Sequence, residues 1–494
     1  IQMITWGISA NSHDAAIAVF KDRQLVYASH SERYSRVKND GDLDPVMVNE
    51  LKKKWGEPDR VVWYEKPYAK TFRQFFAGQG WRWGENNIKK YLKKFNITAP
   101  ITYKWHHESH AAAGFYTSGF ESATVVVIDA IGEFESISIW QGEGRQLKKL
   151  WSQNFPDSVG LWYSAMTDRI GLKPNEEEYI LMGMAALGDP QRHSGNIIAD
   201  FISFYHPSES GIRFKQNLHK GCKNWRPELN TEQDRYDIAA GTQHVYELIL
   251  HKILQDAVRL GGGNENLVLM GGCALNCVAN SEAFTYFKNV WIMPNPGDAG
   301  SAVGAVLADW REHIAWPGAY LGHDMGYHHS NIEIVDHLLT HKFCGLARGR
   351  AEYGPRSLGN RSLIADPRGP DVKALLNTIK KREKFRPFAP SVLAEYADEI
   401  FEMPTKLTPY MQYAVRCRQP DLYPAIVHFD NTSRVQTVTQ EDNPEFHALL
   451  TMWHKKTGCP MLVNTSLNIK GEPIVNTHED ANRWEAKYGV PIYR

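Results

Sequence analysis

Two stretches of this chain share one layout, and that repeat constrains the fold more than any other feature. The first is ITWGISANSHDAAIAVFKDRQLVYASHSE (Ile4 to Glu32), and the second is TVVVIDAIGEFESISIWQGEGRQLKKLWSQ (Thr124 to Gln153). Alternation and turn residues make each read strand, polar or glycine-bearing loop, strand, tight turn, strand. The turn is KDRQ in the first copy and GEGRQ in the second. Helical sequence follows both. Two related α/β halves are predicted, with two unrelated three-stranded meanders as the plainer alternative. The 494 residues exceed one ordinary core, so two or three domains are expected.

A β-β-β opening that occurs twice resembles the start of a duplicated ribonuclease-H-like fold, the actin/hexokinase/Hsp70 group. The resemblance implies that the loop after each first strand faces a nucleotide cleft. Two glycine-bearing turns fit such a cleft. NLVLMGGCALNCVAN reads as a buried strand, then Gly271 and Gly272, then a helix start near Asn276. NPGDAGSAVGAVLADW places Gly297, Asp298 and Gly300 before an alanine-rich helix. Glycines at a helix N-terminus let backbone N–H groups approach phosphate oxygens. Either could equally be a tight strand–helix turn.

HHESHAAAGFYTSGFESATVVVIDAIGE, from His106 to Glu133, gathers potential metal ligands. His106 and His110 are four apart, so a helix projects both imidazoles from one face. The β-branched run Thr124 to Ile128 delivers Asp129 at its end, and Asp298 would add a second carboxylate. Two imidazoles and two carboxylates suit Fe(II), Mn(II) or Zn(II) better than Mg(II). The competing reading is a pair of ordinary histidines on an alanine-rich helix.

Composition excludes little. A formal net charge of zero with 43% hydrophobic residues fits a soluble globular protein without a polyanionic partner overall. Six cysteines lacking a Cys-x-x-Cys pair suggest reduced thiols and a cytoplasmic setting. Neither a membrane-spanning apolar run nor the pattern of a signal peptide is evident. Locally, residues 51–98 hold twelve Lys/Arg against four Asp/Glu, interleaved with aromatic residues.

Four longer motifs carry a specific likeness: LWYSAMTDRIGLKPNEEEYILMGMAALGDP (Leu161 to Pro190), GRAEYGPRSLGNRSLIADPR (Gly349 to Arg368), KKREKFRPFAPSV (Lys380 to Val392) and NTSLNIKGEPIV (Asn464 to Val475). With HDAA at His13, they resemble the NodU/tobramycin-type O-carbamoyltransferases over nearly the whole chain. The resemblance implies a threonylcarbamoyl-transferase-like, duplicated ribonuclease-H-like domain (1–325) followed by a YrdC-like α/β domain (326–494). The linker is expected within Gly318 to Asn331, which lacks periodicity. It further implies ATP, with Mg2+, and carbamoyl phosphate as substrates. Carbamoyl-adenylate would form in the YrdC-like domain and be discharged onto a hydroxyl in the first.

Residue by residue, the likeness puts Lys380, Arg382, Ser466 and Asn468 on phosphate or carbamate. Arg356, Arg386, His428 and Arg434 are further anion candidates, though a lone arginine can also be a surface ion pair. Gly271, Gly272, Asn276 and Gly297 would line the nucleotide. His106, His110, Asp129 and Asp298 fall on the family's metal ligands. His13 is the candidate base or orienter of the acceptor hydroxyl, and Lys38 matches a lysine near the acceptor. Ile180 stands where relatives carry a lysine, and the chain after Asp480 departs from the family pattern.

The resemblance implies a hydroxylated small molecule (a sugar, nucleoside or natural product) as the acceptor, with a hydroxymethyl-pyrimidine of phage-type DNA as the alternative. Trp81, Trp83, Phe75, Phe76, Lys89, Lys90, Lys93 and Lys94 could stack bases and neutralise phosphates; equally, NIKKYLKKF could be a solvated amphipathic helix. A sugar kinase or ATPase of the actin-like fold is the competing class, and a homodimer is left open.

Overall fold

The computed structural model describes residues 2–204 and 208–494. They form two compact units: Ile1–Ser31 with Asn39–Trp316, and Glu32–Lys38 with Pro317–Arg494.

In the first unit, strands β1 (Ile4–Ser9), β2 (Ala16–Lys21) and β3 (Gln24–His30) form the antiparallel meander expected from the alternation. β4 (Arg60–Trp63) and β5 (Ile101–Tyr103) join parallel, giving the order β3-β2-β1-β4-β5. The second sheet starts with β6 (Ser122–Ile128), β7 (Glu135–Glu143) and β8 (Gln146–Asn154), again antiparallel. A short hairpin, β9 (Ile202–Phe204) with β10 (Ile212–Phe214), stands apart. β11 (Asn266–Met270) and β12 (Asn289–Trp291) then complete the second sheet in parallel, in the order β8-β7-β6-β11-β12. The two sheets therefore have the same strand order and the same strand senses.

Two helices lie between the sheets. Ser301–Trp310 packs on β1 and on helix His106–Phe115, which in turn packs on β6 and β11. Small residues make these contacts close. A Cβ on Gly7 would meet the Ala302 carbonyl oxygen at 1.8 Å, and one on Gly304 would meet that of Ser109 at 1.8 Å. No side chain larger than hydrogen fits either interface, so the helices are held at fixed depth against each other and against β1.

The second unit has β13 (Tyr320–Asp324), β14 (Phe343–Ala347), β15 (Arg350–Glu352), β16 (Arg361–Ala365), β17 (Ala389–Leu393), β18 (Ala414–Arg416), β19 (Thr432–Arg434), β20 (Gln436–Val438), β21 (Met461–Ser466) and β22 (Ile492–Tyr493). Six of these make a mixed sheet in the order β20-β17-β21-β16-β14-β22. Helices Asn331–His341 and Pro444–Thr457 cover it, burying Leu338, Leu346, Phe446, Leu450 and Trp453 in one core. The expected linker, residues 318–331, is instead part of this unit. It contains β13, paired with β15, because Leu321 and Ala351 are apolar and buried on both strands. The departing C-terminus forms helix His478–Tyr488 and then β22, which closes the sheet edge beside β14. None of the six cysteines is in a disulfide, and no described helix is long and apolar enough to cross a membrane.

Candidate functional site

In the first unit the sequence-predicted ligands converge. Helix His106–Phe115 starts at Trp105, with Glu108 reaching back to the Trp105 N–H. Glu133 accepts from the His106 N–H at 3.0 Å and from the Lys66 N–H at 2.7 Å, so a carboxylate caps the helix. One turn separates His106 from His110, and both imidazoles are buried. Asp129 follows β6, and Asp298 opens the turn that leads into helix Ser301–Trp310.

The His106 Nε2 lies 2.8 Å from Asp129 Oδ2 and 3.2 Å from Asp298 Oδ1. The His110 Nε2 lies 3.3 Å and 3.2 Å from the same two oxygens, and 3.1 Å from His106 Nε2. Two nitrogens so close can share at most one proton, so the ring edges point at a common centre rather than at each other. The four ligand atoms lie within 4.8 Å of one another, a span a single ion can bridge. The His110 Nδ1 is buried without a hydrogen-bond partner, so nothing on its far side explains the ring's orientation. Two imidazoles and two carboxylates on one point fit a divalent transition ion.

Electrostatics agree. Burial opposes ionisation throughout, yet the His106 and His110 rings hold Asp129 well below the usual carboxylate range. Against burial and the Asp129 charge, His106 also brings Asp298 down to about 2. Both carboxylates are therefore anionic at neutral pH.

Residues that spacing alone did not reveal surround this centre. Glu65 Oε2 stands 3.9 Å from His106 Nδ1, and its other oxygen accepts from Lys70 Nζ at 2.7 Å. His107 Nδ1 is 2.7 Å from Ser138 Oγ. Burial pushes Glu133 up to about 7. His30, also buried, has Nδ1 2.9 Å from Asp14 Oδ1 and Nε2 2.9 Å from Asn295 Nδ2. Glu65, Glu133 and His30 had no motif to mark them; only closure of the sheets brings them inward.

His13 lies exposed in the bend between β1 and β2. Gly271 takes φ +94°, and a Cβ there would meet the Ile128 carbonyl oxygen at 2.0 Å, so the turn demands glycine. A 3-10 turn (Gly272–Leu275) follows the glycines, and a four-residue helix (Cys277–Asn280) then starts with Asn276 as its N-cap, whose side-chain oxygen accepts from the Ala279 N–H at 3.2 Å. Asn276 also exchanges amide hydrogen bonds with Gln243 at 3.0 Å, and Tyr163 donates to Gln243 at 2.8 Å. Gly297 does lead through a turn into the ten-residue helix Ser301–Trp310. Ile180, in place of the expected lysine, is buried on helix Glu178–Met184.

In the second unit, Lys380 ends helix Val372–Lys380 and meets the loop after β21. Its ammonium donates to the Ser466 carbonyl (2.7 Å), Ser466 Oγ (3.1 Å) and Asn468 Oδ1 (2.7 Å). All three acceptors are neutral. Burial, then the charges of Arg382, Arg386 and Lys38, hold Lys380 well below the usual ammonium range. Arg382 lies 3.9 Å over the Phe388 ring, and Arg386 donates to Glu383 at 3.0 Å. Lys38, expected near the acceptor in the first domain, groups with this unit and adds to the positive field around Lys380. Arg356, His428 and Arg434 stand on other segments, respectively the loop after β15, the turn before β19, and β19 itself. Within the same motif, Arg361 is fully buried and donates to five backbone carbonyls, which makes it a staple of the loop.

The comparisons agree with this division. A family model described as the carbamoyltransferase N-terminus matches residues 52–307, and one described as the carbamoyltransferase C-terminus matches 335–492. An uncharacterized protein of Synechocystis, sll1178, is 36% identical over 97% of this chain and 93% of its own length. Nodulation protein U of Sinorhizobium fredii is 36% identical over 96% of this chain and 95% of its own. The 3'-hydroxymethylcephem-O-carbamoyltransferase of Streptomyces clavuligerus is 27% identical over 96% and 94%. The crystal structure of HypF from T. kodakarensis aligns at 13% identity and a TM-score of 0.33, over 63% of this chain and 47% of that one; so low a score carries over neither fold nor function. Matched along both units, the chain belongs to the carbamoyltransferase family, in its NodU-type O-carbamoyltransferase branch, and is a transferase enzyme.

Proposed function

We propose that this carbamoyltransferase is ATP-dependent and divides its reaction between the two units. In the second unit, water cleaves carbamoyl phosphate into carbamate and phosphate; a carbamate oxygen then attacks the α-phosphorus of ATP, pyrophosphate leaves, and carbamoyl-adenylate forms. In the first unit, an acceptor hydroxyl attacks the carbamoyl carbon, loses its proton and displaces AMP. The observation that carries the reading is the Lys380 cluster. Among the described residues this ammonium donates to neutral oxygens, and with Arg382, Arg386 and Lys38 adding positive charge the cluster suits a polyanion. Activation is chemically necessary, because carbamate itself offers only an oxide or hydroxide leaving group.

His106, His110, Asp129 and Asp298 would hold an Fe2+, Mn2+ or Zn2+ ion, which as a Lewis acid polarises phosphate oxygens when bound. Glu65 orients the His106 ring from behind, and Glu133 fixes the start of its helix. His13 is the candidate to take the acceptor proton, from an exposed bend that a substrate can reach. The matching strand order of the two sheets supports a duplicated ribonuclease-H-like first domain, with the mixed sheet of the second unit as its YrdC-like partner. A cytoplasmic setting would keep the six cysteines reduced.

The acceptor is proposed to be a hydroxylated small molecule. Lys89, Lys90, Lys93 and Lys94 do not favour DNA: Ile88, Tyr91 and Leu92 are the buried face of helix Ile88–Lys93, and the lysines are its solvated face. The test is pyrophosphate release from ATP and carbamoyl phosphate, paired with mass spectrometry of candidate acceptors. Lys380→Ala or Arg382→Ala should abolish release. Release at the wild-type rate from Arg382→Ala would remove the second unit as the activating site.

A further inference from the structure

We propose that the first unit docks on the surface of an anionic lipid bilayer, through an aromatic face on helix Pro67–Phe76 and the loop that follows it. Such docking is independent of the carbamoyl-transfer chemistry. The helix is inverted relative to one that packs on a core. It buries Ala69, Lys70, Thr71 and Arg73 and turns Tyr68, Phe72, Phe75 and Phe76 to solvent. Those four rings stand at i, i+4, i+7 and i+8, the spacing of one helical stripe. A surface helix ordinarily presents such a stripe to the core, so here the stripe is left for a partner outside the chain.

The inward side of the helix is held by its own partners. Lys70 Nζ donates to Glu65 Oε1 at 2.7 Å and to the Asn11 carbonyl at 2.9 Å. Thr71 Oγ1 accepts from Asn86 Nδ2 at 2.8 Å, and the charges of Glu65 and Glu133 act on the buried Arg73. Rolling the helix to bury its rings would break the Lys70–Glu65 pair, and an uncompensated buried charge is strongly destabilising. The rings therefore stay outside.

The rings join into one face. Phe72 and Phe75 meet Trp81 edge-on with centroids at 5.4 and 5.9 Å, and Phe75 meets Phe76 at 5.9 Å. Trp81 lies parallel to Trp83 at 6.4 Å, and Trp105, which precedes His106, closes on Tyr68 at 6.2 Å. Phe76 is 78% exposed and Trp81 56%. Charge selects the occupant. Residues 66–107 hold nine Lys/Arg against one acidic residue, Glu85, which Arg82 already pairs at 3.2 Å. Lys89, Lys90, Lys93 and Lys94 are all exposed. A second copy seated here by a two-fold axis would bring like-charged segments together, whereas anionic headgroups complement them. Rings packed edge-on form a continuous apolar surface rather than separate faces for stacked bases, which disfavours a nucleic-acid strand. Tryptophan and phenylalanine beside lysine are the composition of an interfacial helix, one that lies on a bilayer without spanning it.

The test is co-sedimentation of the full chain with vesicles of phosphatidylcholine, with and without phosphatidylglycerol, at low and high salt. Vesicles containing phosphatidylglycerol should bind the chain at low salt, and neutral vesicles or high salt should weaken binding about tenfold or more. Phe76→Ser/Trp81→Ser should lower the affinity about tenfold or more, since each ring loses its apolar contact, while the melting temperature stays unchanged. If the double variant melts lower, Phe76→Ser alone is read in its place. Lipids brominated in their acyl chains should quench the wild type's tryptophan fluorescence. No binding to phosphatidylglycerol vesicles, equal binding by the variant, or no quenching would overturn the inference. So would sedimentation velocity showing a dimer that the variant dissociates, which assigns the face to a second copy. Binding of poly-dT that the variant abolishes would overturn it as well, in favour of a nucleic-acid strand.

Discussion

The four-ligand centre of the first unit and the Lys380 cluster of the second are built on opposite charge logic. In the first, two carboxylates face two imidazoles across 2.8–3.3 Å, and a divalent cation would leave the set balanced. In the second, Lys380 donates to neutral oxygens among the described residues while the charges of Arg382, Arg386 and Lys38 lie around it, Arg386 being paired with Glu383. The difference teaches what each site would accept on the proposed reading: a cation in one, an anion in the other. A small change to the first should therefore alter metal retention, and a small change to the second should alter ATP chemistry.

The largest effect is expected at Lys380. On the proposed reading Lys380→Ala removes a charge that meets the transferring phosphates, and pyrophosphate release should fall by roughly 10²–10³, effectively to background, the usual cost of one preorganised electrostatic contact. A fall of less than threefold would mean that the positive cluster binds nothing essential. Next comes His110→Ala. Losing one of four ligands should cost more than the roughly 10–100-fold that loss of an outer-shell partner costs in metal affinity, while the far-ultraviolet spectrum stays unchanged. Full metal occupancy in that variant would remove His110 from the ligand set. Glu65→Gln, which touches His106 only from behind, should fall within that 10–100-fold range. If it equals His110→Ala, the division between ligand and orienting partner is wrong.

Legibility from sequence followed the range of the interactions. The two meanders were readable because alternation and the KDRQ and GEGRQ turns are local signals, and the strands formed where those signals lay. His106 and His110 were readable because a helical pair is local too, and Lys380, Ser466 and Asn468 were singled out by long motifs, although their mutual contact was not. The helix start after Gly271 was readable as well, although the helix that begins at the Asn276 cap is only Cys277–Asn280. Residues 318–331 look like a linker because β13 is short and pairs only with distant β15. Glu65 and Glu133 carried no motif, since each acquires its role only through its approach to His106 across the fold. Lys38 was misplaced for a similar reason: seven residues of an N-terminal stretch pack with the second unit.

The smallest effect is one of stability, and it reports the unbalanced charge directly. Lys380 titrates below its unfolded value of about 10.4. Between its folded pKa and that value the unfolded chain binds more protons than the native one, so stability rises with pH across that window. Lys380→Met should flatten this rise and melt no lower than the wild type near neutrality, as thermal unfolding between pH 7 and 10 would measure. A variant that melts well below the wild type would show that the ammonium is a structural staple.

The most direct measurement follows both half-reactions in one experiment. Wild type, Lys380→Ala and His110→Ala are incubated with ATP, carbamoyl phosphate and an acceptor that the wild type modifies. Pyrophosphate is quantified, and the acceptor is weighed by mass spectrometry. If activation belongs to the second unit and transfer to the first, Lys380→Ala releases no pyrophosphate, whereas His110→Ala releases it while the acceptor gains no carbamoyl group. Pyrophosphate lost in His110→Ala but retained in Lys380→Ala would contradict that assignment.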